Sequence, residues 1–243
     1  MRAAQKMHKG VHERPHGSGM GEKITEGVIW KQLLIFFFPI LIGTFFQQLY
    51  NTVDAVVVGR FAGKEALSSV GGSSSQIINL VVGFFTGLSS GATVIISQYF
   101  GAKKREELQK ALHTAYAFSV LFGIFIGLAG VVVTPMLLAQ MNTPEELMHD
   151  SVMYVRIYFA GLVFVLIYNM GSAILRAIGD SRRPLYYLII CCIINIVFDL
   201  ALVLGLRLGV LGVAVATLFS QAVSAVLVTR ALMYHTEEME LRL

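Results

Sequence analysis

Charge is scarce in this chain. Asp, Glu, Lys and Arg make up 14% of the 243 residues, while 56% are hydrophobic and the mean hydropathy is +0.70. Soluble domains carry about 25% charged residues, so this composition excludes a water-soluble globular domain. Cysteine is nearly missing as well. Cys191 and Cys192 are the only two, adjacent in one apolar run. There they act as small apolar residues and say nothing about redox compartment.

Other absences narrow the class further. No stretch shows the strict alternation over ~10 residues that marks a membrane β-strand. The apolar runs are instead long and apolar all round, as spanning helices are. Six are expected, near residues 30–59, 66–99, 108–138, 152–175, 185–204 and 209–233. Several exceed the ~20 residues needed to span, so they must tilt, bend or project. Pro39 and the pair Gly71-Gly72 are the candidate bends. Small-residue ridges Gly83-x3-Gly87-x3-Gly91 and Gly123-x3-Gly127 mark close helix contacts within the bundle.

No Lys or Arg occurs in residues 111–155, across the third run and the loop after it, and that loop carries Glu145, Glu146 and Asp150. The second loop carries Lys103, Lys104, Arg105 and Lys110, and the fourth Arg176, Arg182 and Arg183. The first and fifth loops hold only Arg60, Lys64 and Arg207. By the positive-inside rule the even loops and both termini are cytoplasmic, which places a multi-pass protein in the plasma (cell inner) membrane. This topology explains the pI of about 9.1. No basic-aromatic interleaving suggests nucleic acid.

The leader is the one polar stretch. Residues 1–22 read as a polar extension expected to be disordered, with Met20 as the expected start of the folded protein. His8, His12 and His16 share helical spacing but lack a fourth metal ligand. The first apolar run is too long, and lacks the small-residue cleavage site, for a cleavable signal.

Against this background two carboxylates stand out. Asp54 is the only charged residue in residues 32–59, and Asp199 the only one in residues 184–206. A carboxylate at membrane depth is costly unless it faces a partner or a wet cavity. Each has polar company on its own helical face: Gln47 and Tyr50 with Asp54, and Asn195 one turn before Asp199. The fourth run offers Asn169 and Ser172; the sixth offers Thr217, Ser220, Gln221 and Ser224. Interhelical hydrogen bonds explain such Ser, Thr and Asn residues. They explain two carboxylates poorly, so the stripes point to one shared internal cavity.

Three segments carry a family resemblance. PILIGTFFQQLYNTVDAVVVGRFAG (residues 39–63), SAILRAIGDSRRPLYY (172–187) and NIVFDLALVLGLRLGVLGVAVATLFSQ (195–221) resemble the opening, fourth loop, and fifth and sixth helices of MATE multidrug and toxic compound extrusion transporters. The likeness spans about residues 23–234. It implies an all-α membrane protein whose six transmembrane helices (23–235) form one lobe of a two-lobed transporter, with residues 236–243 starting a cytoplasmic inter-lobe linker. It implies a transporter rather than an enzyme, with no catalytic residues. The function so implied is efflux of small cationic or amphipathic compounds against Na⁺ or H⁺, the coupling ion being the only cofactor. Asp54, Asn195, Asp199 and Thr217 match the family's cation-associated positions, and Gln47 and Tyr50 match polar positions of its cavity. Such oxygens suit a hard cation such as Na⁺. Two carboxylates in one low-dielectric pocket cannot both ionise easily, so the pair can exchange a proton for Na⁺ or for a cationic substrate. Asn169, Ser172 and Gln221 complete the expected substrate cavity.

The family has twelve helices and this chain has six, with no second Tyr-Asn-x2-Asp motif. Three expectations follow: a truncated or half transporter, a second six-helix lobe or a homodimer as partner besides membrane lipid, and no export by a monomer. Two rival classes are less consistent with these residues. An intramembrane aspartyl protease would show Gly-x-Gly-Asp, and the nearest segment is Ala177-Ile178-Gly179-Asp180. A lipid-linked oligosaccharide flippase of the same superfamily would favour arginines suited to pyrophosphate. The topology is open to cysteine-accessibility labelling. Positions Lys104 and Arg182 are expected to react from the cytoplasmic side and Glu146 only from the outside; reaction of position 146 from the cytoplasm would overturn it.

Overall fold

The computed structural model describes residues 29–234. The leader 1–22 with His8, His12, His16 and Met20, and the tail 236–243, lie outside the described residues. The rest is helical: α1 (Ile29–Val57), α2 (Lys64–Gly71), α3 (Ser73–Gly101), α4 (Arg105–Gln140), α5 (Glu145–Ala160), α6 (Leu162–Ala177), α7 (Arg182–Asp199) and α8 (Gly209–Tyr234). No strand occurs among the described residues. Two π-helical turns extend α1 and α7, at Val58–Ala62 and Leu200–Gly205.

Five helical segments are long and apolar enough to cross a membrane, and six when α5 and α6 count as one bent span. The expected runs are therefore all present, but the fourth is not continuous. α5 and α6 meet at 49° across Gly161. Leu218 Cδ1 of α8 occupies the space where a Cβ at 161 would stand, so a larger residue there would have to displace the Leu218 side chain. The expected bend at Gly71-Gly72 is also present. Gly72 breaks α2 from α3, its N–H bonding Ser68 O at 2.9 Å, and a Cβ there would lie 2.7 Å from that oxygen. No break occurs at Pro39, which sits inside α1.

α8 is the central helix. It packs on α5, α6, α7 and both π turns, and Val210, Val213, Ala216, Ala225, Val228 and Leu232 are buried along it. Tyr116 OH of α4 meets Thr229 Oγ1 of α8 at 2.8 Å, and Ser151 Oγ of α5 donates to Ser69 O of α2 at 3.2 Å. α1 is the opposite case. It packs mainly on α7, and most of its large side chains, among them Trp30, Leu33, Phe37, Phe38 and Phe45, are exposed. In a spanning helix such a surface faces lipid.

The two glycine ridges behave differently. Gly123, Gly127 and Gly130 of α4 lie hard against Val163 and Phe159 across the α5–α6 joint. A Cβ at 123 would stand 2.7 Å from Val163 Cα, and one at 127 would stand 2.6 Å from Phe159 O. Gly83, Gly87 and Gly91 of α3 meet nothing within 4 Å, so the expectation that both ridges pack inside the bundle holds for α4 alone. Gly127→Ala should destabilise the chain by about 1–3 kcal/mol through overpacking. Gly87→Ala should be neutral or stabilise by roughly 0.5–1 kcal/mol through helix propensity. Equal losses at both positions in detergent unfolding would contradict this packing.

Candidate functional site

Asp54 lies in the last turn of α1, just before a π turn, and Asp199 is the last residue of α7, directly before the other. The two π turns touch each other and both touch α8. A π turn inserts an extra residue into the helical register and recurs at functional sites. Here the pair brings the ends of the first, fifth and sixth spans together, which the sequence stripes required. α1 reaches α8 through its π turn rather than along its length.

Asp54 (8% exposed), Asn195 (0%), Asp199 (0%) and Thr217 (5%) are all buried. The carboxyl groups of Asp54 and Asp199 are neighbours that interact electrostatically. Tyr50 lies near Asp54 and Thr217, and Tyr154 lies near both carboxylates. Nine buried side-chain polar atoms among the described residues have no hydrogen-bond partner, and six of them belong to this quartet: Asp54 Oδ1, both amide atoms of Asn195, both oxygens of Asp199, and Thr217 Oγ1. Buried polar groups elsewhere in proteins are overwhelmingly paired, and leaving one unpaired costs about 1–3 kcal/mol. Six such atoms in one cluster leave capacity there for a bound ion, a proton or water. No group of three or more His, Cys, Asp or Glu side chains is placed to hold a metal among the described residues. The donor set is thus two carboxylates with neutral oxygens, which suits a hard cation or a proton better than a transition metal.

Asp54 and Thr217 also face a cavity of about 370 Å³, whereas Asn195 and Asp199 lie behind its wall. Four of the five expected substrate-cavity residues line it: Gln47, Tyr50, Asn169 and Gln221. Ser172 does not. It is buried among the helices. Among the described residues Asp54 is the only charged one in the lining, and no Lys, Arg or His contributes.

Sequence reasoning missed several lining residues. Tyr154 and Tyr158 of α5 and Tyr168 of α6 join Tyr50 to make an aromatic wall. The i, i+4 spacing of Tyr154 and Tyr158 was a readable signal, but treating the fourth span as one straight helix hides which face its first half presents. Ser75 and Asn79 of α3 also line the cavity, joined by a 3.3 Å hydrogen bond. Asp180, the nearest approach to a protease motif, is structural. Its Oδ1 accepts the backbone N–H groups of Arg182 (3.2 Å) and Arg183 (3.1 Å), and its Oδ2 pairs with Arg183 Nε at 3.0 Å. It caps α7, whereas Asp54 and Asp199 lie at the opposite end of the adjoining spans.

The chain and its fold are similar to known proteins. The MatE family model matches residues 39–201. The "Probable multidrug resistance protein YoeA" of Bacillus subtilis (strain 168) is 33% identical over 203 residues, covering 82% of this chain and 44% of that protein. The solved outward-facing conformation of a multidrug resistance MATE family transporter superposes with a TM-score of 0.85 at 26% identity, over 92% of this chain and 49% of that one. The inward-facing conformation gives a TM-score of 0.73 over 79% of this chain. The chain spans about half the length of the relatives it matches. With well over half of its residues matched, and the fold of one six-span lobe reproduced, the chain belongs to the MATE family of membrane transporters.

Proposed function

We propose that this lobe couples an inward flow of Na⁺ or H⁺ to efflux of small cationic or amphipathic compounds, acting with a second lobe. The observation that supports this reading most is the set of six unpaired buried atoms at Asp54, Asn195, Asp199 and Thr217 beside an acidic, tyrosine-lined cavity. Two adjacent buried carboxylates repel when both are ionised. A proton or a Na⁺ removes that repulsion, and a cationic substrate at Asp54 competes for the same negative charge. Asp54 belongs to both the ion quartet and the cavity wall, so it is where ion and substrate exclude each other. Tyr50, Tyr154, Tyr158 and Tyr168 offer ring faces for an organic cation. A pyrophosphate-bearing lipid carrier fits less well, since Lys and Arg are missing from this lining. The membrane is the plasma membrane, with both ends of the chain cytoplasmic and the partner a second six-helix lobe or another copy.

Two substitutions test the site. Asp199→Asn keeps the polar shape and removes the charge. In proteoliposomes holding the complete two-lobe transporter it should lower ion-driven dye efflux at least about tenfold, a ~1.4 kcal/mol effect, with little change in unfolding temperature. Undiminished coupling would refute the role of Asp199.

Asn195→Leu removes two unpaired buried atoms. In buffer without Na⁺ and near neutral pH it should equal or exceed the parent chain in stability, by up to about 1–3 kcal/mol. Any stabilisation that Na⁺ or acid confers on the parent should disappear. A clear loss of stability in ion-free buffer would show that the amide has a structural partner and no ion-binding role.

A further inference from the structure

A second cavity, of about 260 Å³, adjoins the first, with Asn169 in the wall of both. Its walls are Phe36 of α1, four hydroxyls of α3 (Thr86, Ser89, Ser90 and Thr93), and Arg176 of α6. Arg176 is the only charged residue there among the described residues. It is partly buried, and no carboxylate lies within ion-pair distance of it among the described residues. Asp180, the nearest acidic residue in sequence, is already committed to Arg183 and to the start of α7. A guanidinium held between membrane helices without a counter-ion is costly. Its five N–H donors form a rigid fork suited to two oxygens of one anion.

The surroundings fit such an anion. Arg176 stands one residue from the end of α6, at the end of the bundle where Lys103, Lys104, Arg182 and Arg183 also lie. Thr86, Ser90 and Thr93 donate to the backbone of their own helix, while the Ser89 hydroxyl is bonded to no described group. Hydroxyl rotors can turn to donate to a ligand. The cavity has room for roughly eight waters at about 30 Å³ each, enough for a phosphate with part of a glycerol. Phe36 forms its apolar edge, next to the exposed rings of Phe37 and Phe38. Basic pockets between spanning helices at the positive end of a bundle recognise phosphate head groups.

We infer that this cavity is a binding site for a phosphate-bearing anion, held by Arg176, supplied by an anionic lipid head group or by soluble phosphate. The inference is independent of the coupling mechanism proposed above.

The test uses the full chain, delipidated in a neutral detergent, with unfolding temperature and native mass spectrometry as readouts. Phosphatidylglycerol is compared with phosphatidylcholine in one arm, and inorganic phosphate with chloride at equal ionic strength in the other. Stabilisation and retention of phosphatidylglycerol alone assign the site to a head group; stabilisation by inorganic phosphate as well assigns it to the free anion. In either case Arg176→Gln should weaken binding at least about tenfold, while Arg182→Gln, at an exposed neighbouring arginine, should leave it unchanged. If Arg176→Gln fails to fold, Arg176→Lys keeps the charge without the fork and should bind several-fold more weakly than the parent. No response to either ligand, or parental binding in the Arg176 variants, would overturn the site.

Discussion

In hydrocarbon no water satisfies a polar group, so every backbone bond and every buried side chain must find its partner inside the protein. That constraint explains why the described residues are almost wholly helical, and why the exceptions are informative. Helical hydrogen bonding is interrupted or loosened inside spans at only a few places: Gly72, Gly161, and the π turns at Val58–Ala62 and Leu200–Gly205. Each lies on an element that helps to form the main cavity. Irregular backbone at membrane depth is tolerated where it is buried or lines a cavity, and here it also sets the directions of Asp54, Asp199 and Tyr154.

The breaks have local causes. Gly161 allows Leu218 to enter the α5–α6 joint, and the same joint receives the α4 ridge of Gly123, Gly127 and Gly130. The bent joint of the fourth span is thus closely packed from both sides, by α4 and by α8. Tyr154 and Tyr158 of α5 line the cavity. A larger side chain on α4 would press on that joint and move the tyrosines, so packing far from the carboxylates still shapes the site.

Much of this was legible in the residues, for a physical reason. Apolar runs long enough to span lipid are hard to disguise, and a lone carboxylate within one is conspicuous because its cost is high. Asp54 and Asp199 were readable on those grounds, Asn195 and Thr217 as members of polar stripes and through the family resemblance, and the bend at Gly71-Gly72 from its paired glycines. What was hidden depends on contacts between distant segments. Nothing local distinguishes the buried ridge at Gly123 from the open ridge at Gly83. Hydropathy passes through Gly161 without a signal, because the bend needs Leu218, two spans further along the chain, to explain it. Ser172 and Asn169 look equivalent on a helical wheel, and only the packing of the folded bundle separates them, Asn169 lining the cavity and Ser172 buried away from it. The π turns have no sequence mark of their own: the apolar run carries on through Leu200–Gly205, and at Val58–Ala62 Gly59 and Arg60 read simply as the end of the first span.

The two carboxylates sit on very unequal helices. Asp199 is carried by α7, which packs along α1 and along the central α8, whereas Asp54 is carried by α1, which α7 and one π turn hold in place. If α1 is the part that shifts, Asp54 approaches or leaves a nearly fixed Asp199. An ion bound between them then favours the docked arrangement only by the difference between its affinities for the two arrangements, since a ligand with equal affinity for both shifts nothing. On the proposed reading, the unpaired atoms at Asn195, Asp199 and Thr217 would supply that difference, since coordination of one ion by all four residues needs Asp54 near. On the reading proposed above, ion occupancy and the position of α1 would be one equilibrium, and the cavity beside Asp54 would be the space that it governs.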